Sequence, residues 1–228
     1  MESSVNRRRR RYDSSRRQAA ADETRRRILR VAREHFLERG YTATTMPAIA
    51  EAAGGAVDTV YATLGPKPAI FRLLIETAIS GRDEAVPALA RDYVREVQAE
   101  PDPRRKLERY AHAVRVVQER LAPLFAHLRE AARAEPELAE LWQEISTRRA
   151  ANMRLFTAEL AAAGGLRDGL TIDEAADIIW ATNAPEFFLL LVHERGWSLD
   201  RFETWLADAW SRLLLPDGVK TDGGTHHN

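Results

Sequence analysis

Residues 40–67, GYTATTMPAIAEAAGGAVDTVYATLGPK, are the most informative stretch of this 228-residue chain. Thr44-Thr45 precede Met46-Pro47, and proline is favoured in the first turn of a helix. The spacing predicts a helix over about 46–53, stopped by Gly54-Gly55. A second helix is predicted over about 57–64, stopped by Gly65-Pro66. Each is only about eight residues long. The glycines between them permit the backbone dihedrals of a tight inter-helix turn. Two short helices crossing steeply make a helix-turn-helix, whose second helix can enter a DNA major groove. Short glycine-linked helices also occur in bundles that bind no nucleic acid, so the pattern alone leaves both readings open.

Outward from that stretch the chain reads as helical throughout. Upstream, Ile28, Ala32 and Phe36 recur every fourth residue with Val31 and Leu37 beside them. This predicts an amphipathic helix over about 22–39, capped by Asp22 and closed by Gly40. Before it lies Arg7–Arg11, then Arg16 and Arg17, with almost no apolar periodicity. Residues 1–21 are therefore expected to form a disordered basic arm. It would either enter a minor groove or simply add attraction to phosphate. Downstream, a fourth helix is expected from Lys67 to about Gly81. Others follow over about 103–120, 123–134, 136–163, 172–180, 185–194 and 199–215, set by proline, glycine and the capping box Thr171-x-x-Glu174. This gives about ten helices and an all-α fold. The expected organisation is an arm (1–21), a helix-turn-helix DNA-binding head (22–66), a larger helical bundle (67–215) and a disordered, polar, glycine-rich tail (216–228). His226 and His227 lie in that tail with no further ligand cluster, so no metal site is expected.

Composition narrows the function classes. The chain has no cysteine, which excludes disulfides, Cys-ligated metals and a thiol nucleophile. The longest uninterrupted apolar run, Phe187 to Val192, is far short of the ~20 residues of a membrane span. No apolar segment follows the basic N-terminus, so no secretory signal is read and a cytoplasmic protein is expected. The net charge of zero hides an asymmetry. Residues 1–72 carry 15 Lys and Arg against 8 Asp and Glu, whereas residues 73–228 carry 19 against 26. A basic first third on an acidic remainder suggests that only the first third meets a polyanion. All five Trp lie in the remainder. There is no Gly-x-Gly-x-x-Gly, P-loop, Gly-x-Ser-x-Gly or His-Glu-x-x-His, so neither an enzyme nor a cofactor is expected.

Several features coincide along this stretch: Gly40-Tyr41 after the first helix, Ile49-Ala50-x-x-Ala53-Gly54 in the second, Thr59-Val60-Tyr61 in the third and Gly65-Pro66-Lys67 before the fourth. Together they resemble the N-terminal domain of the tetracycline-repressor (TetR) family, without gaps, over about residues 24–72. A weaker resemblance covers Glu186 to Leu214. The resemblance implies a three-helix DNA-binding head, a linking fourth helix, and a bundle that dimerises and binds ligand. It also implies a transcriptional regulator, most often a repressor released from double-stranded operator DNA by a small molecule.

The candidate DNA contacts follow. Thr44 and Thr45 offer hydroxyls at a helix start, to cap it or to meet phosphate. Tyr61 can reach a phosphate oxygen, and the family usually places a phosphate-contacting lysine where Lys67 stands. Thr59 completes the Thr-x-Tyr motif. Base readers are expected among Val57, Asp58, Ala62 and Thr63. Where many members have Ser-Lys-Gly, this chain has Ala56-Val57-Asp58. A cap and a basic contact are thus replaced, and Asp58 either accepts from a cytosine N4 or offsets the helix dipole.

For the bundle, Tyr110, His112, Phe125, Trp142, Met153, Phe156, Trp180 and Asn183 are the candidate ligand contacts, each weighed against an ordinary place in the core. The aromatic content points to an apolar or aromatic effector. Phe187, Phe188, Leu191, Trp205, Trp210 and Leu213 are the candidate homodimer interface, weighed against packing within one subunit. Two other functions stay open: a DNA-binding protein without sequence preference, and a ligand-binding helical protein whose head no longer binds DNA.

Overall fold

The computed structural model describes residues 2–216, with side chains from Arg16 onward. Its described residues form ten α-helices in the order α1 (Glu2–Ala43), α2 (Met46–Ala52), α3 (Val57–Leu64), α4 (Lys67–Ser80), α5 (Asp92–Ala99), α6 (Pro103–Ala131), α7 (Pro136–Ala162), α8 (Ile172–Thr182), α9 (Pro185–Phe188) and α10 (Leu199–Leu214). A 3-10 turn, Ala88–Ala90, precedes α5, and a π-helical turn, Leu189–Glu194, continues α9. No single helix among the described residues is long and apolar enough to cross a membrane.

The head follows the expected boundaries where backbone chemistry dictates them. Gly40 has φ 77° and ψ 171°, a conformation closed to other residues, and it breaks α1 from the turn Tyr41–Ala43. Thr45 caps α2 by accepting from the Ala48 N–H at 3.3 Å, with Pro47 in the first turn. Gly54, at φ 66°, makes the turn into α3. One boundary is corrected. The stretch 1–21, expected as a disordered arm, continues α1 as helix from Glu2. No glycine or proline precedes Gly40, and Arg, Ala, Gln and Glu are strong helix formers, so propensity extends the helix where no apolar face requires it. Most of the expected tail, residues 217–228 with His226 and His227, lies outside the described residues.

Two further elements differ from the sequence reading. The helices expected over 103–120 and 123–134 are one helix, α6, with Pro123 inside it. Proline removes the bond to the carbonyl of Glu119 but does not break the helix. Glu119 is on the exposed side, whereas Leu121, Ala122, Leu124, Phe125 and Leu128 are all buried and hold the segment in place. Helix α5 lies between the expected fourth and fifth helices, where the sequence reading places no element. Its one fully buried apolar residue is Val97, with Tyr93 and Val94 half-buried beside it, a short stripe among charged residues.

Helix α6 is the axis of the molecule, touched by α1, α4, α5, α7, α9 and α10. Two apolar clusters form around it. One joins the head to the body: Ile28, Phe36, Ile49 and Val60 of α1–α3, then Ile70, Phe71 and Ile75 of α4, then Leu124, Leu128, Leu141 and Ile145 of α6 and α7. The other holds α6 to α7, α8, α9 and α10 through Leu107, Leu160, Ile179, Phe188, Phe202 and Trp210.

Replacing Pro123 with Ala restores a helical hydrogen bond at an interior position, where proline is about 3 kcal/mol worse than alanine, offset by up to about 1 kcal/mol from the freer unfolded chain. Chemical denaturation of Pro123→Ala should show about 1–2 kcal/mol of added stability. A loss of stability would show that proline at this position is itself required for packing α6.

Candidate DNA-binding head and effector cavity

Helix α3 is held by one side only. Val60 is fully buried, and Val57 and Leu64 pack partly against the same core. These three positions, i, i+3 and i+7, form one helical stripe. The opposite side is bare: Asp58, Thr59, Tyr61 and Ala62 are all exposed, and Tyr61 is 48 % exposed. Thr63 is half-buried and donates to the Thr59 carbonyl at 2.7 Å. Ala56 caps α3 without any side-chain bond, and Asp58 stands in the first turn, where a carboxylate favours the positive end of the helix dipole. A short helix anchored along three residues and open along the rest has the shape that fits a major groove.

Two of the expected phosphate contacts are placed differently. Thr44 is fully buried, and its hydroxyl lies 3.0 Å from the His35 carbonyl and 2.8 Å from that of Gly40. It closes the end of α1 and is not available to DNA. Lys67 donates from Nζ to the carbonyls of Tyr41 at 2.9 Å and Thr44 at 3.1 Å, and its ammonium stands 4.1 Å from the centre of the Tyr41 ring. Burial lowers its pKa, partly opposed by Glu135. Its main task is to tie α4 to the α1–α2 turn. A lysine at a helix start opposes the dipole, and two carbonyl bonds with a ring beneath explain why it is there. Tyr41 is itself buried, which pushes its phenol up to about 12. It packs on Phe36 and Phe71 at 5.7 and 5.2 Å. Thr45 is exposed but serves as the α2 cap.

The body contains a cavity of about 600 Å³ between α4, α6, α7, α8 and the α9 turn. It lies where the two apolar clusters meet: Ile79, Leu121, Phe125 and Ile145 come from the cluster that carries the head, and Val114 and Met153 from the other. Of the residues singled out from sequence, Tyr110, Phe125, Trp142, Met153, Trp180 and Asn183 line it. The other two do not. His112 is on the surface, 3.1 Å from Glu203, which also takes Arg115 at 2.7 Å. Phe156 packs behind Tyr110, with ring centres 4.8 Å apart.

A polar pole stands against the apolar walls. Asn183 Nδ2 donates to the Tyr110 hydroxyl at 2.9 Å and lies 3.1 Å from Met153 Sδ. Gln118 Nε2 donates to the Asn183 carbonyl at 2.5 Å. Burial, above all, raises the Tyr110 pKa, so its hydroxyl stays protonated. The sequence reading missed Gln118, Arg149 and the neighbouring ion pairs. Gln118 had a signal, because it interrupts the buried stripe Val114, Leu121, Phe125 of α6. Arg149, beside Arg148, had none. Glu76 of α4 connects the cavity to the linking helix: it pairs with Arg148 at 2.6 Å and Arg91 at 4.0 Å, both in the cavity wall.

The expected dimer residues divide as well. Phe188 and Trp210 are buried within the subunit, and Trp210 donates to the Thr182 hydroxyl at 2.7 Å, so neither is available to a partner. Phe187, Leu191 and Trp205 are half-buried and Leu213 is exposed. Full-width apolarity of α9 and α10 in sequence reflects the subunit's own core on one side of each helix.

A helix-turn-helix exposed along α3 and joined to a cavity-bearing helical body is the architecture of a DNA-binding regulator. Comparison with known proteins agrees. The family profile described as bacterial regulatory proteins, tetR family, matches residues 28–72. The head is a TetR-family DNA-binding domain, and the chain as a whole has the fold of such regulators. NalD, the secondary repressor of the MexAB-OprM multidrug efflux pump in Pseudomonas aeruginosa, superposes with a TM-score of 0.68 at 24 % identity, over 88 % of this chain and 100 % of that one. The fatty acid degradation regulator FadR from Bacillus halodurans gives 0.63 at 18 % identity, over 90 % and 97 %. The TetR family transcriptional regulator PfmR from Thermus thermophilus gives 0.59 at 21 %, over 82 % and 97 %. At these identities the likeness shows the fold. No curated protein matches the sequence.

The two hydroxyls of the head separate by experiment. Thr44→Val removes a buried donor from two carbonyls and should cost about 1–3 kcal/mol of stability by thermal or chemical unfolding. Tyr61→Phe should leave the unfolding midpoint unchanged and weaken binding to duplex DNA by several-fold. If Thr44→Val were neutral for folding and harmful only to DNA binding, the structural assignment of Thr44 would be wrong.

Proposed function

We propose that this protein is a homodimeric, sequence-specific transcriptional repressor that leaves its operator when a small molecule fills the cavity between α4, α6, α7 and α8. The observation that carries this reading is the seam itself. One wall of the cavity belongs to the same apolar cluster as α1–α4, so an occupant that alters that wall acts on the seat of the head. Glu76, on α4 and paired with two arginines of the cavity wall, gives a polar route between the same two places. A ligand must bind the DNA-free arrangement better than the DNA-bound one, and these contacts are where the two can differ. The likeness to NalD, a repressor of an efflux pump, supports the same class.

On DNA, the exposed residues Asp58, Thr59 and Ala62 of α3 face base edges and Tyr61 meets the backbone. The missing side-chain cap at Ala56 and the acid at Asp58 set a readout different from that of Ser-Lys-Gly heads. Two heads read two half-sites about one helical turn apart, related by a two-fold axis. Phe187 of α9 (which also lines the cavity), Leu191 of the π-helical turn after it, and Trp205 and Leu213 of α10 keep exposed surface and supply the self-complementary patch.

Selection of binding sites from a random duplex pool by the purified protein tests this. The expected outcome is an enriched inverted repeat bound at least about a thousand-fold tighter than unselected DNA, with preference lost in a Thr59→Ala, Ala62→Lys double variant. Uniform, salt-sensitive binding without enrichment would instead indicate a protein that coats DNA non-specifically. No binding at all would leave a ligand-binding protein with a silent head.

A further inference from the structure

Five buried side-chain polar atoms among the described residues have no hydrogen-bond partner, and four of them belong to residues that line this cavity: Gln118 Oε1, Asn183 Oδ1, and Nε and Nη1 of Arg149. Gln118 and Asn183 are each only 4 % exposed. Buried polar groups are nearly always paired. A concentration of unpaired ones among the residues lining a single cavity therefore describes the ligand that would suit it.

The charges give the sign. The ionisable acid and base side chains of the lining, tyrosines aside, are Arg91, Arg129, Arg148, Arg149 and Glu186. Arg91 and Arg148 are engaged by Glu76, and Arg129 lies 3.5 Å from Glu186. Arg149 is left without an ion-pair partner, its guanidinium 4.6 Å from the centre of the Trp180 ring. Burial disfavours its charged form, and the field of Glu186 only partly opposes that. Arginine nevertheless stays protonated in proteins. A half-buried cation stacked on a ring, with two of its nitrogens buried and without an acceptor, is stabilised by an anion and repels a second cation.

We propose that the effector is a small organic monoanion, an aromatic or medium-chain carboxylate, with its carboxylate on Arg149 and its apolar body against Ile79, Leu121, Phe125 and Trp142. This rests on the cavity being the effector site. Gln118 Oε1 and Asn183 Oδ1 accept only, so a hydroxyl or amide N–H on the same molecule would be recognised beside the carboxylate. The cavity, at about 600 Å³, is of drug-ligand size.

Two matched series decide the matter: 2-naphthoate, 2-naphthylmethanol and 2-naphthylmethylammonium, then decanoate, decanol and decylammonium. Each is titrated into the full-length protein, with quenching of Trp142 and Trp180 fluorescence and thermal shift as readouts. In each series the acid should bind about ten-fold or more tighter than the alcohol, with the ammonium weakest. Arg149→Gln should erase the preference for acid over alcohol while the alcohol's own affinity stays within a few-fold. The wild-type series stands alone if that variant does not fold. Equal affinities across a series, a preferred ammonium, or an acid preference that survives Arg149→Gln would overturn the assignment of ligand class and leave the cavity as a binding site. Absence of quenching and of thermal shift with all six compounds would overturn the cavity reading itself.

Discussion

The contact on which the molecule turns is the aromatic cluster of Phe36, Tyr41 and Phe71. Phe71 on α4 meets Phe36 and Tyr41 edge-on at 4.9 and 5.2 Å, and Lys67 covers the Tyr41 ring while bonding the carbonyls at the end of α1 and the start of α2. A three-helix head of this size buries too little surface to be rigid alone. By sharing Phe71, Ile70 and Leu74 with α4, it joins a core that continues into Leu124, Leu128 and Ile145 of the body. The orientation of α3 is thereby fixed relative to α6 and not only to α2.

That continuity gives the cavity its significance. A pocket enclosed by one cluster alone could fill and empty without consequence elsewhere. Here the walls come from two clusters, and the one carrying Ile79 and Phe125 is the seat of the head. Interiors packed to crystal-like density do not deform smoothly, so an occupant that separates the clusters shifts whole helices. The Glu76 pairs lie across the same boundary. The unpaired groups of Gln118, Arg149 and Asn183 come from α6, α7 and the end of α8.

Much of the head was legible in sequence because its boundaries are set locally. Gly40, Thr45, Pro47 and Gly54 each dictate a backbone state whatever surrounds them. The fourfold recurrence of Ile28, Ala32 and Phe36 marked the buried side of α1, and Thr59-Val60-Tyr61 marked the motif of α3. What was not legible depended on tertiary surroundings. Pro123 reads as a helix start until its neighbours prove to be buried on α6. Thr44 and Lys67 read as phosphate contacts because sequence cannot show that a hydroxyl or an ammonium is already taken by carbonyls nine and more than twenty residues away. Phe188 and Trp210 read as interface because an apolar face looks the same whether its partner is the same chain or a second copy. Six of eight pocket candidates line the cavity because large aromatics gather where helices diverge. Arg149, on which the proposed charge of the ligand rests, is one arginine among many until its unpaired nitrogens are seen at the cavity.

If head and body share one core, they open together. Native-state hydrogen exchange of the full-length protein measures this directly, by comparing amides of Ile49 and Val60 in the head with those of Leu124 and Ile145 in the body. The slowest amides of both regions should open with the same free energy, and Phe71→Ala should lower both alike. Exchange of the head through a separate, lower-energy opening, with the body's protection unchanged by Phe71→Ala, would contradict a shared core and remove the physical basis for coupling the cavity to DNA.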